Sequence, residues 1–296
     1  IQIGLNDSIA FVKNLFGGSQ EDFNRVVSQL NSFKTLKEAK KFIFEACEYK
    51  YTFLNYNPNL GLINNVDMDH PDFFTGIEHV IDTYQKFADR CETLVINYDD
   101  EHCKKITHSN KTTFGLTEGS DMRMTNIVKL NDGFKFDLSY KGEKLGSYQV
   151  PFFGDHMVLN VLAVITLGYV QGIDIELMIK NVSTFKGVSR RFQEEVVDKE
   201  KGLYIIDDYA HHPTAIELTI QAIRQKYQGY EVTVLFQPHT FSRTITFLDD
   251  FAVSLDLADD VTLLEIYAAS EKPIHGVSSS LIAEKMSRGH FIPNFA

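Results

Sequence analysis

Cysteine is scarce: three residues in 296, at positions 47, 91 and 103, leave no framework of paired disulfides. No Cys-x-x-Cys step offers a structural zinc site either, so the chain fits a reducing compartment and is expected in the cytoplasm. Cations are short as well, with 29 Lys and Arg against 40 Asp and Glu and a formal net charge of −11. That balance excludes a general nucleic-acid or anionic-membrane surface and leaves room only for a local basic site, such as one around a phosphate. Long apolar runs are missing. The longest, near Val158 to Val170, is interrupted by Asn160 and is too short to span a bilayer. No secretory leader is visible, and a first residue of Ile suggests a fragment or processed chain.

What is present supports buried cores. The apolar share is 44%, and the length suggests two domains at roughly 150 residues each. Residues 1–41 read as short helices: Ile9, Val12 and Phe16 share a face that Gly17-Gly18 stops, and Ser19 caps a helix bearing Phe23, Val26, Val27 and Leu30. Thr35 and Glu38 have capping-box spacing for a third. From Lys41 the texture changes. KFIFEA and LGLINNV read as buried strands, Asp72 to Cys91 as a helix and TLVINYDD as the next strand, which together predict a largely parallel sheet. Period-two alternation between Met122 and Val150, with turns at Asn131-Asp132-Gly133 and Lys141-Gly142, predicts appended antiparallel hairpins. Helices are expected from near His156 and after Asp174, with GVSRRFQEE as a connector. Strand–helix alternation then restarts in GLYIIDDYA, EVTVLFQP and DDVTLLEIYA. The expected organisation is a helical segment over 1–41, one α/β domain over 42–187 and a second over 188–296.

In open α/β sheets, ligands bind beyond the carboxyl ends of the strands, and the polar clusters fall there. Glu45 and Glu48 follow the first strand, and Asn65, Asp67, Asp69 and His70 the second. In the second domain Asp207, Asp208, His211 and His212 follow one strand, Gln237, His239, Ser242 and Arg243 the next, and Glu265, Tyr267 and Glu271 the one after. Each cluster also has an ordinary structural reading. An Asp before a helix is commonly an N-cap, a histidine pair in a loop is commonly a solvated turn, and Arg190-Arg191 could be a solvated pair. The sharper alternative is a carboxylate and an imidazole, Glu45 and His70, at a divalent cation, since Mg²⁺ takes only one or two protein ligands beside phosphates. A guanidinium would then face a transferring phosphoryl group. The residues alone point to a two-domain α/β enzyme that handles a phosphorylated ligand with a metal.

Six strings occur in order over about residues 42 to 288: FEACEYKYTFLNYNPNLGLINNVDMDHPDFF, GDHMVLNVLAVI, GVSRRFQ, DDYAHHPTAI, FQPHTFSRT and EIYAASEKPIHGVSS. Together they resemble the Mur ligases, and within that family its alanine-adding branch. The resemblance implies a Mur ligase central domain followed by a Rossmann-like C-terminal α/β domain. It also implies ATP and Mg²⁺ as cofactors, UDP-N-acetylmuramate and L-alanine as small-molecule partners, and neither nucleic acid nor membrane. ATP phosphorylates a carboxylate, the alanine amine attacks the acyl phosphate, and phosphate leaves. A carboxylate must therefore approach a triphosphate, and cations must offset the repulsion.

Residue by residue, Glu45 and His70 match the family's metal site. Asn160 matches an adenine-side amide with His156 beside it, while Met157 stands where a second amide is usual. Arg191 matches the arginine facing the γ-phosphate, and Asp208 the acid of the second domain that closes on the nucleotide. Arg191, Asp208 and His70 form the expected catalytic set. His239, Ser242 and Arg243 lie on the side of the muramoyl and alanine groups, where His212, with His211, orients its loop. The family's Gly-Lys-Thr loop does not occur, and residues 1–41 offer only FGGSQ and match no part of the family's pattern. The expectation is a fragment, inactive alone, lacking the family's N-terminal domain and its last strand and helix. Two alternatives stand beside it: a related ligase that reattaches recycled murein peptide, and a non-catalytic nucleotide-binding or interaction module.

Overall fold

The computed structural model describes residues 45–185, 187–198 and 200–292. The helices expected over 1–41, the FGGSQ turn and most of the strand KFIFEA lie outside the described residues. The chain divides into two units, Ile1–Asn57 and Pro58–Ala296. In the first, Glu45 is exposed, and a short 3-10 stretch over Tyr49–Asn55 is interrupted at Lys50 and Tyr51, whose φ values are 52° and 59°.

The second unit carries two α/β lobes. In the first lobe the order is β1 (Leu60–Ile63), α1 (Ile77–Ala88), β2 (Thr93–Asn97), β3 (Lys111–Gly115), β4 (Met122–Leu130), β5 (Gly133–Tyr140), β6 (Glu143–Val150), α2 (Asp155–Val170) and α3 (Ile175–Thr184). The six strands lie in sequence order across one sheet. β1 to β4 are parallel, and β4, β5 and β6 are antiparallel, as the alternation predicted. Leu94, Val95 and Ile96 of β2 are each no more than 1% exposed, which is the continuous burial of a parallel strand covered on both faces. β5 instead alternates, burying Phe134, Phe136 and Leu138 in a core shared with Val161, Leu162 and Ile165 of α2. α3 begins where Asp174 accepts a hydrogen bond from the Leu177 N–H at 3.0 Å.

The second lobe contains β7 (Gln193–Asp198), β8 (Leu203–Asp207), α4 (Pro213–Lys226), β9 (Thr233–Phe236), α5 (Phe241–Thr246), α6 (Leu248–Leu255), β10 (Asp260–Leu263), α7 (Ser280–Lys285) and β11 (Gly289–Phe291). β9, β10 and β11 form a parallel sheet around a core that includes Ile216, Ile220, Phe251 and Leu255. β7 pairs antiparallel with β8, from Gln193 opposite Asp207. The end of GVSRRFQEE therefore enters a strand rather than serving wholly as a connector. Its polar Gln-Glu-Glu run has no period-two apolar face to announce it.

The lobes meet where α2 starts. Gly154 donates its N–H to Gln225 Oε1 of α4 at 2.9 Å, and it has φ 88°. A Cβ there would lie 2.8 Å from the Ala222 methyl and 2.7 Å from the His156 ring, so glycine is required both by conformation and by the closeness of the lobes. Among the described residues no helix is long and apolar enough to cross a membrane.

Candidate active site

Strand ends of both lobes supply the polar groups at their junction. On one side, buried Asn97 at the end of β2 donates from Nδ2 to the Asn64 carbonyl at 2.9 Å, which fixes the turn after β1. Asn64 Nδ2 in turn donates to Asn160 Oδ1 at 2.5 Å. Asn160 lies four residues after His156 in α2, so helix geometry puts both on one face. The Asn160 amide nitrogen has only Met157 Sδ nearby, at 3.7 Å. Two buried atoms here, Asn64 Oδ1 and His156 Nδ1, have no hydrogen-bond partner. Burial holds the His156 imidazole below its ordinary value, outweighing the carboxylates of Asp208 and Asp155 that pull it up. A neutral imidazole and two amides offer both donors and acceptors, which is the chemistry that reads the edge of a purine.

Beside this cluster the chain linking the lobes is gathered by Asp208. Its Oδ2 accepts the Phe192 N–H at 2.7 Å and its Oδ1 the Ala210 N–H at 2.8 Å. The Tyr209 N–H donates to the Arg190 carbonyl at 2.8 Å, and Val188 and Arg191 form a bridge. The guanidinium carbons of Arg190 and Arg191 sit 5.0 and 5.7 Å from the Tyr209 ring centroid. Arg191 is otherwise exposed, a planar cation resting on an aromatic face.

The third group is built on the loop after β1. Asp69 Oδ1 accepts from Arg243 Nε at 2.9 Å and lies 2.8 Å from Arg243 Nη2. The same oxygen accepts the His70 N–H at 2.6 Å. His211 Nε2 and His70 Nε2 stand 3.8 and 3.9 Å from Oδ2. Burial alone would raise the Asp69 carboxyl, but the His211 imidazole, the Arg243 guanidinium and His70 outweigh it and hold it well below the usual carboxylate range. Arg243, 3% exposed, also donates from Nη1 to the His239 carbonyl at 3.3 Å and lies 3.2 Å from His239 Nδ1. Burial, then Arg243 and His211, lower the His239 imidazole.

His212 caps α4 by accepting the Thr214 N–H at Nδ1, 3.3 Å away. Its proton is then on Nε2, which donates to the Met68 carbonyl at 3.0 Å. Thr214 Oγ1 donates to Asp67 at 3.2 Å. Ser242 is held by Glu271, which accepts from its hydroxyl and from the Phe241 and Ser242 N–H groups.

His70, His211, His212, His239 and Arg243 are thus brought to one junction, and His156, Asn160 and Asp208 to its neighbour. Glu45 lies in the other unit. Among the described residues no group of three or more His, Cys, Asp or Glu stands ready to hold a metal. Asp69, named from sequence only as one acid among several after β1, is the hub of the third group; the adjacent DMDH string was its only signal. Asn64 was missed altogether.

Two α/β lobes joined at their strand ends, with polar groups from both converging on the junction, define a two-lobed α/β protein with an interlobe site. The chain belongs to the Mur ligase family: the model of the Mur ligase middle domain matches residues 6–168, and that of the Mur ligase glutamate ligase domain matches residues 190–296. The first of these matches takes in residues 6–41, which the strings quoted above had left outside the family's pattern. The chain is 42% identical over 251 residues to the UDP-N-acetylmuramate--L-alanine ligase of Streptococcus gordonii, covering 84% of this chain and 56% of that protein. It therefore spans little more than half the length of this curated relative. The crystal structure of a UDP-N-acetylmuramate-alanine ligase from Thermotoga maritima superposes with a TM-score of 0.66 at 25% identity, over 82% of this chain and 53% of that one. A MurF ligase from Thermotoga maritima in complex with ADP shares the fold, with a TM-score of 0.62 at 19% identity over 81% of this chain and 54% of that one.

Proposed function

We propose that this chain is the nucleotide-binding and C-terminal part of an ATP-dependent ligase that joins L-alanine to UDP-N-acetylmuramate in the cytoplasm, with residues 42–187 and 188–296 as its two domains. The observation that carries the reading is the 42% identity to an alanine-adding ligase, which runs through both lobes of the junction. The unpartnered atoms of Asn64 and His156 support an adenine seat completed by Asn160. Asp208 closes the linking segment over that seat, and Arg191 is free to leave the Tyr209 face for a γ-phosphate. His70 would hold Mg²⁺ together with phosphate oxygens; the ion supplies charge neutralisation when a carboxylate is brought to the triphosphate. His239, Ser242 and His212 line the side assigned to the muramoyl and alanine groups.

The test is alanine-dependent phosphate release from ATP by the ligase that contains this chain, with UDP-N-acetylmuramate and Mg²⁺. Arg191→Ala should lower turnover about 10²–10³-fold, the usual cost of one preorganised donor to a developing charge. Release driven by a murein peptide and not by alanine would establish the recycling ligase instead, and no release with either would favour the binding module. The stretch Ile1–Ala296 on its own, with no Gly-Lys-Thr loop in its sequence, should not turn over.

A further inference from the structure

Among the described residues four hydrogen-bonded side-chain links join the lobes, and they are not equal in kind. Gln225 to the Gly154 N–H, His212 to the Met68 carbonyl and Thr214 to Asp67 are single hydrogen bonds, the last of them exposed. Arg243 brings a buried guanidinium to a carboxylate through two nitrogens. Among the described residues, every ion pair that crosses between the lobes ends on Asp69.

Arg243 is committed to this contact. Nε and Nη2 face Asp69 Oδ1, and Nη1 is engaged by His239, so a side chain 3% exposed has its three nitrogens directed at protein atoms. The accepting oxygen also takes the backbone N–H of His70 at 2.6 Å. His70 has φ 53°, a left-handed conformation that is uncommon without glycine and needs local support. One carboxylate oxygen therefore ties the second lobe to the backbone of the residue proposed above as a metal ligand.

We infer that the Asp69–Arg243 pair is an interlobe latch: Asp69 is a positioning residue that seats the second lobe and sets His70, and Arg243 serves that latch rather than contacting substrate. The inference rests on the ligase reading for its effect on turnover, but not for its effect on lobe geometry. It also differs in consequence from the substrate role that resemblance assigns to Arg243. A substrate contact would be lost when Arg243 alone is changed, whereas a latch is lost equally from either end.

The experiment uses the ligase containing this chain, with Cys47→Ser removing the exposed cysteine and Val164→Cys and Val253→Cys carrying spin labels on exposed faces of α2 and α6. The distance distribution between labels is measured in this background and with Asp69→Asn, Arg243→Gln and both together. Expected are a broadened or longer distance in each single variant and no further change in the double. Turnover should fall about 10²-fold in all three, as misplacement of about 1 Å costs, with little change in KM for UDP-N-acetylmuramate. An unchanged distance in both singles would overturn the latch. So would a KM rise confined to Arg243→Gln with Asp69→Asn like the parent. If Asp69→Asn does not fold, Asp69→Glu, which keeps the charge but lengthens the arm, replaces it under the same two outcomes. Absence of alanine-dependent release in the parent would count against the ligase reading alone, since the distances still decide the latch.

Discussion

The junction holds two polar clusters that differ in how fully their hydrogen-bonding capacity is used. Around Asp69 the guanidinium of Arg243, the His70 N–H and two imidazoles converge on one carboxylate, and Arg243 has a protein partner for each nitrogen. Around Asn160 the count falls short: Asn64 Oδ1 and His156 Nδ1 are buried without partners. A buried polar atom left unsatisfied costs about 1–3 kcal/mol, so such atoms are rare unless something other than the fold accounts for them. The saturated cluster keeps the shape of the site, and the unsaturated one keeps room for a ligand. Substitutions in the two should therefore move stability in opposite directions.

The largest effect is expected at the saturated cluster. Arg243→Met removes the guanidinium and leaves Asp69 with the His70 N–H and two imidazoles but no fixed cation, and breaking a buried pair in this way costs about 3–5 kcal/mol. Because the Asp69 side chain is 23% exposed, solvent recovers part of that, and the lower end of the range is expected. Urea unfolding of Asp69→Asn, Arg243→Met and the double variant would measure it. The double should be more stable than the sum of the singles predicts, because the second substitution removes a charge that the first left unpaired. Strict additivity would mean that the two side chains do not stabilise the junction together.

A smaller effect of opposite sign is expected at the open cluster. His156→Phe keeps the ring's volume but deletes the nitrogen that has no partner, which should raise stability by about 1 kcal/mol. The same change removes a group proposed to face adenine, so ATP affinity should fall about tenfold, equivalent to about 1.4 kcal/mol. Calorimetric titration with ATP, beside thermal unfolding of the free protein, reads both quantities from one variant. Loss of stability together with unchanged ATP binding would show that His156 is a core residue and that the open cluster is no ligand seat.

How much of this was legible in the sequence depended on the range of the interaction. β2 declared itself because three successive apolar residues are all buried, and α3 because Asp174 stands where an N-cap must. The strand-end rule picked out Asp208 without any coordinates, whereas His156 and Asn160, which lie in a helix, were singled out only by the resemblance to the Mur ligases. β7 escaped because Gln193, Glu194 and Glu195 give no apolar period, and its pairing is dictated by β8 rather than by its own pattern. Asp69 and Arg243 were both picked out as polar residues after strands, yet nothing local joins residues 174 positions apart. The tautomer of His212 was equally out of reach, since it follows from a cap on one ring nitrogen and a carbonyl of the other lobe on the second.

The smallest expected effect separates the clusters by pH. Burial lowers the His156 imidazole below its ordinary 6.5, so the folded state favours the neutral ring while the unfolded chain takes up a proton near that value. The stability this contributes is fully present above pH 6.5 and declines as the pH falls below it toward the folded value. Asp69 is also depressed, but for an acid. Its contribution is present above the unfolded value of 3.8 and is lost only as the pH falls through the folded one. Acidification from neutrality should thus weaken the open cluster first and leave the Asp69–Arg243 pair intact. His239 is lowered as well and titrates in the same window, so a single stability profile would not isolate His156. The difference between the profiles of the parent and His156→Phe does, because His239 is common to both. That difference should be constant above pH 6.5 and should grow in favour of the variant below it. A difference that stays flat down to pH 4.5 would mean that His156 is no harder to protonate in the folded protein than in the unfolded chain.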